Sequence, residues 1–222
     1  MSHEYHVSDD PARAVATALV RYLDSLLHPL IALSGGSTPK TLFRLLASEF
    51  RNDIPWERMA LFQVDERCVP PDHADSNWRM IRETLLDQTP VPASYRMKAD
   101  ESTGAQEYEL VLGEHLPKNS EGVPVFDLIL LGMGADGHTA SLFPGTAALN
   151  EQSHWVTFND VPQLNTRRLT LTFPVLNAAR QVWYLCAGKD KATAFEQAKQ
   201  GQVPAGQVTN AKWFIDSAVL GE

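Results

Sequence analysis

The sequence predicts an α/β fold: a single domain spanning residues 1–222, with a largely parallel, doubly wound sheet flanked by helices. Two observations predict it. Strand-like and helix-like stretches alternate along the whole chain, and the strand-like ones are near-continuous apolar runs such as "LIAL" and "FDLILL". Runs of that kind are buried on both faces, which is what helices above and below a parallel sheet impose. A length of 222 residues with 44% hydrophobic composition is enough to bury a full core.

The elements follow in order. Asp9 and Asp10 stand before Pro11, and apolar residues at Ala12, Val15, Ala16, Leu19, Leu23, Leu26 and Leu27 keep helical spacing. A capped helix with a first-turn proline is therefore expected, ending near His28-Pro29. "LIAL" (30–33) is a short buried strand, "SGGSTP" is the turn after it, and a second helix is expected from Pro39 to about Phe50. The strand "MALFQV" (59–64) enters "DERCVPPDHADSN", and a helix follows over Trp78 to Leu86, capped by Ser76 or Asn77. A polar, proline-rich connection (87–102) leads to a helix from about Thr103 to His115 and then to "FDLILL" (126–131). Past a glycine loop come the strands "WVTF" (155–158), "RLTLTF" (168–173) and "VWYLCA" (182–187). A helix from about Lys189 to Lys199 and the strand "KWFI" (212–215) complete the series. Ligands of such sheets sit beyond the carboxyl ends of the strands, so the loops after residues 33, 64, 131, 173 and 187 are expected to carry function.

Bulk properties narrow the ligand. A net charge of −8 argues against a general nucleic-acid binder, which needs a clustered positive surface. A small anion is compatible where Lys, Arg and backbone N–H groups gather. Cys68 and Cys186 lie far apart with no C-x-x-C, so both read as small buried hydrophobes and not as a disulfide or a zinc site. No apolar run approaches the ~18 residues of a membrane span. The start "MSHEYHVSDD" lacks the build of a signal peptide, so a cytoplasmic protein with no membrane partner is expected. No H-E-x-x-H, G-x-S-x-G or Walker loop is present, which points away from a catalytic metal, a nucleophile-elbow esterase and triphosphate hydrolysis.

"GMGADGHTASLFPG" (132–145) satisfies G-x-G-x-x-G through Gly132, Gly134 and Gly137. A dinucleotide fingerprint needs its third glycine in a helix of several turns and an acidic residue at the end of the next strand. Here Pro144-Gly145 cuts the helix short, and Glu151 precedes the strand "WVTF". The alternative is that the glycines let the backbone turn sharply, so that Asp136 and His138 project together at the rim of the sheet. An imidazole oriented by a carboxylate is a general base at neutral pH. The other histidines, His3, His6, His28, His73, His115 and His154, have no comparable surroundings.

Other stretches could hold an anion. Ser34, Gly35, Gly36, Ser37 and Thr38 surround an expected helix N-terminus with hydroxyls and backbone N–H groups, an arrangement that binds phosphate. The Asp65-Glu66-Arg67 triplet sits at the end of a strand, and its Arg67 could face negative charge developing on an oxygen. Arg168 and Lys191 could together add the local positive charge that a chain of net −8 otherwise lacks.

With these pieces in view the chain resembles 6-phosphogluconolactonases. "LSGGSTP", "VDERCVPPDHADSN", "GMGADGHTASLFP", "RLTLTFPVLN" and "AGKDKA" match that family's pattern in order, with "WFIDSA" a weaker sixth. The resemblance implies a Rossmann-like fold of the deaminase/lactonase type. Glucosamine-6-phosphate deaminases share that fold, but they follow the D-G-H with Asn-Glu-Pro, where this chain has Phe143 before Pro144, and they carry tyrosine at the place of Arg67. Ala135, where lactonases often place proline, is a small departure. The implied activity is hydrolysis of 6-phospho-D-glucono-1,5-lactone, a phosphorylated sugar lactone, without a cofactor. In that reading His138, oriented by Asp136, activates water, and Arg67 stabilises the oxyanion. Residues 34–38 with Arg168 and Lys191 hold the phosphate, while Asp65 and Asn77 position sugar hydroxyls or neighbouring side chains. A non-catalytic sugar-phosphate sensor is the other alternative, and it would need no acid–base pair.

Overall fold

Seven parallel strands form the centre of the computed structural model, which describes residues 3–221. In chain order the strands are β1 (Glu4–Val7), β2 (Leu30–Leu33), β3 (Ala60–Gln63), β4 (Asp65–Arg67), β5 (Ala93–Tyr95), β6 (Leu128–Leu131), β7 (Val156–Val161), β8 (Thr166–Leu171), β9 (Val182–Cys186) and β10 (Ala211–Ile215). The α-helices are α1 (Pro11–Asp24), α2 (Ser37–Ser48), α3 (Asn77–Thr84), α4 (Gly104–His115), α5 (Phe173–Ala178) and α6 (Ala192–Lys199). The large sheet has the order β1-β10-β9-β6-β2-β3-β5, every neighbouring pair parallel. The predicted α/β class is thus what the chain forms.

Alternation of side chains along a strand explains the continuous apolar runs. Leu128 and Leu130 of β6 join Val15, Leu19, Leu42 and Ile81 from α1, α2 and α3 on one face. Ile129 and Leu131 join Tyr108, Leu176 and Phe195 from α4, α5 and α6 on the other. Both faces are covered, so a polar residue at either register would be buried without a partner.

The helices start where local chemistry allows. Asp10 accepts from the Arg13 N–H at 3.0 Å ahead of Pro11, and Ser76 accepts from the Arg79 N–H at 3.1 Å at the head of α3. Helix α2 begins at Ser37, two residues before the expected start at Pro39, because a proline in the first turn lacks only an N–H that would be unpaired anyway. Burial raises the thiol pKa of Cys186 to about 12 and that of Cys68 to about 11. The first is buried and the second half-buried, in keeping with hydrophobes and not nucleophiles.

Three expectations are corrected. Asp65–Arg67 does not end the β3 strand; it turns away and pairs antiparallel with β8, which pairs antiparallel with β7. This second, three-stranded sheet was not foreseen. "RLTLTF" does not run through Phe173, because Thr172 closes the strand and Phe173-Pro174 opens α5. The edge strands β1 and β5 were also unforeseen: each is short, and the residues of β1 are all exposed, so neither carries a buried apolar run.

Candidate active site

A cleft of about 380 Å³ opens beyond the carboxyl ends of the parallel strands, lined by residues of the loops after β2, β3, β6 and β9. Four of the five expected loops therefore meet. The fifth, after residue 173, does not; β8 contributes Arg168 from its own length, and the turn before it contributes Leu164.

On the loop after β6, His138 Nδ1 lies 2.6 Å from Asp136 Oδ1, and the His138 backbone N–H donates to the same oxygen at 3.1 Å. With Nδ1 engaged by the carboxylate, Nε2 is the nitrogen left for substrate or water. Gly134 makes room for this pair: a Cβ there would stand 2.1 Å from His138 Nδ1 and 2.6 Å from Asp136 Oδ1. The imidazole stacks on Phe143, with ring centroids 4.0 Å apart and planes 20° from parallel. Burial pushes the Asp136 carboxyl upward, but the His138 hydrogen bond, its charge and the backbone N–H groups outweigh that, leaving the pKa below its ordinary value. From Gly137 to Gly145 the chain forms turns and no helix, so the dinucleotide geometry does not arise.

The anion-binding candidates line the same cleft. Ser34, Gly35, Gly36, Ser37 and Thr38 line the cleft at the head of α2, and the buried Ser34 hydroxyl has no hydrogen-bond partner. Arg67 and Arg168 are Cα partners across β4 and β8, and both line the cleft. The Nε atom of each is buried and unpartnered, while Arg67 Nη1 donates to the Asp75 carbonyl. Burial first, and then the adjacent Arg67 charge, lower the Arg168 pKa, although a guanidinium keeps its proton under such pressure. Two like charges held together with unmet donors suit an anion.

The remaining expected residues are also present, with partners the sequence did not show. Asp65 is buried, and its Oδ2 accepts from Ser141 Oγ at 2.6 Å. Asn77 donates through Nδ2 to the Asp65 carbonyl at 3.0 Å, and its buried Oδ1 is unpartnered. Lys191 Nζ is 3.0 Å from Asp190 Oδ2, so this cation is partly offset by a carboxylate that sequence reasoning overlooked. Ser141 was overlooked too: it lies three residues past His138, in a stretch with no serine motif. Among the described residues no group of three or more His, Cys, Asp or Glu could hold a metal, and no helix is long and apolar enough to cross a membrane.

Comparison with known proteins places the chain. The family model described as glucosamine-6-phosphate isomerases/6-phosphogluconolactonase matches residues 3–215. A 6-phosphogluconolactonase of Treponema pallidum (strain Nichols) is 39% identical over 194 residues, covering 84% of this chain and 80% of the relative. The chloroplastic 6-phosphogluconolactonase 3 of Arabidopsis thaliana is 39% identical over 203 residues; the match covers 84% of this chain but only 62% of that longer relative. Among solved structures, 6-phosphogluconolactonase from Trypanosoma brucei superposes with a TM-score of 0.87 at 28% identity, covering 99% of this chain and 98% of the other. With the sheet, the cleft and these matches in agreement, the chain belongs to the glucosamine-6-phosphate isomerase/6-phosphogluconolactonase family.

Proposed function

We propose that the chain, acting as one lactonase domain, hydrolyses 6-phospho-D-glucono-1,5-lactone to 6-phospho-D-gluconate, the lactone step of the oxidative pentose phosphate pathway. The observation that carries this reading is the 2.6 Å contact of Asp136 with His138, in a cleft also lined by two guanidiniums with unmet donors. Relatives bearing the lactonase name support it.

In this mechanism Nε2 of His138 takes a proton from water as the water oxygen attacks the lactone carbonyl. Asp136 keeps the other ring proton on Nδ1 and stabilises the imidazolium that forms. The C–O bond of the ring then breaks, and the imidazolium returns the proton to the departing ring oxygen. Arg67 faces the tetrahedral oxyanion. The hydroxyls and N–H groups of residues 34–38, with Arg168 and Lys191, hold the phosphate. Asp65 orients a sugar hydroxyl, and Asn77 fixes the loop that holds the phosphate. A lactone already opens slowly in water, so acid–base and electrostatic terms of roughly 10² to 10⁴ and 10² to 10³ suffice without a covalent intermediate, a metal or another cofactor. The substrate is a small anion and not a nucleic acid, and the proposed compartment is the cytoplasm.

Deamination is disfavoured by one contact. Phe143 stacks face to face on the imidazole, and a phenyl ring there moves no proton. The test is lactone disappearance measured against the spontaneous rate, beside ammonia release from glucosamine 6-phosphate. Acceleration of the first without the second is expected; ammonia release, or lactone decay at the spontaneous rate, would overturn the assignment.

A further inference from the structure

Glu66 does not line the cleft, and the mechanism above gives it no step. It is nevertheless 3% exposed, and its carboxylate accepts five hydrogen bonds. Oε1 takes the backbone N–H groups of Arg67 and Asn77, each at 2.7 Å. Oε2 takes the Trp78 N–H at 2.7 Å, Gln63 Nε2 at 3.0 Å and Ser76 Oγ at 3.1 Å. Three of these donors are backbone amides, which cannot reverse their role, so their partner must be an acceptor held in place. A buried charge is expensive unless bonded in this way.

What Glu66 ties together is the cleft wall. One oxygen bonds the backbone of Arg67, whose side chain lines the cleft, and the backbone of Asn77. Asn77 in turn lies so close to the loop at the head of α2 that a Cβ on Gly35 would fall 1.8 Å from its Oδ1. We infer that Glu66 is a positioning residue: it sets the spacing between Arg67 and the 34–38 loop so that both can engage one anionic ligand. This rests on the reading of the cleft as a phosphosugar site.

The sign of the effect separates geometry from charge. Neutralising a carboxylate beside an anion site should by itself strengthen anion binding. Weaker binding in Glu66→Gln therefore reports lost geometry. The expected result is that a folded Glu66→Gln protein binds 6-phosphogluconate roughly tenfold more weakly and loses kcat/KM by about 10²-fold, shared between KM and kcat, since displacements near 1 Å cost that much. Glu66→Asp keeps the charge but shortens the reach, and it should weaken binding in the same direction. The His138 imidazole signals in NMR should stay at their wild-type positions in both. Unchanged or tighter 6-phosphogluconate binding in either folded variant, or unfolding of both, which would make Glu66 a folding residue, overturns the inference. Wild-type protein that binds 6-phosphogluconate without turning over the lactone would sink the catalytic reading and leave Glu66 in place, whereas wild-type protein that binds no 6-phosphogluconate overturns both.

Discussion

The two walls of the cleft are built in opposite ways. The acid–base wall is local: Asp136 and His138 are two residues apart, joined by a side-chain contact of 2.6 Å and by a hydrogen bond from the His138 backbone N–H to the same carboxylate oxygen. The cationic wall is assembled over distance: Arg67 meets Arg168 only because β4 pairs with β8, and Asn77 meets Gly35 only because α3 packs beside the loop after β2. Damage to the first wall should therefore appear in the rate of the chemical step, and damage to the phosphate-holding residues of the second in binding, with Arg67, which faces the oxyanion, acting on both.

Substitutions can break that contrast or sharpen it. The largest effect is expected for His138→Ala, which should lower kcat by roughly 10² to 10⁴-fold with little change in KM, as steady-state kinetics would record. Gly134→Ala should imitate it more weakly, because the added methyl occupies the place of the imidazole while the cationic wall is untouched. Arg67→Ala should lower kcat/KM by about 10² to 10³-fold, and a kcat share larger than its KM share would place this guanidinium at the oxyanion. Lys191→Ala should be milder and act mainly on KM, since Asp190 already takes part of its charge.

The smallest expected effect is on stability. The folded pKa of Asp136 is depressed below its ordinary value of 3.8, so its stabilising contribution is present above that pH and lost as acid passes through the folded value. The difference in Tm between wild type and Asp136→Asn should therefore shrink as the pH falls below about 4, and a gap that widens there would reverse the sign.

This division also decides what could be read from the chain. The Asp136–His138 turn was legible because its parts are neighbours in sequence, and the large sheet was legible because double-sided burial leaves apolar runs such as "LILL". The β4-β8-β7 sheet was not, since β4 has only three residues and all of them are charged. Asn165, left-handed at φ 46° in the turn between β7 and β8, was the available hairpin signal. Ser141 on Asp65 and Asp190 on Lys191 carried no motif, and Glu66 looked like one more charge at a strand's end. Pairing across distant segments has no local signature, which is why those partners emerged only from the fold.

Chemical rescue of His138→Ala is the decisive test of this imidazole as the general base. The variant should still bind 6-phosphogluconate, open the lactone roughly 10² to 10⁴-fold more slowly than wild type, and regain turnover in proportion to added imidazole. A variant that opens the lactone at the wild-type rate without imidazole would contradict that role.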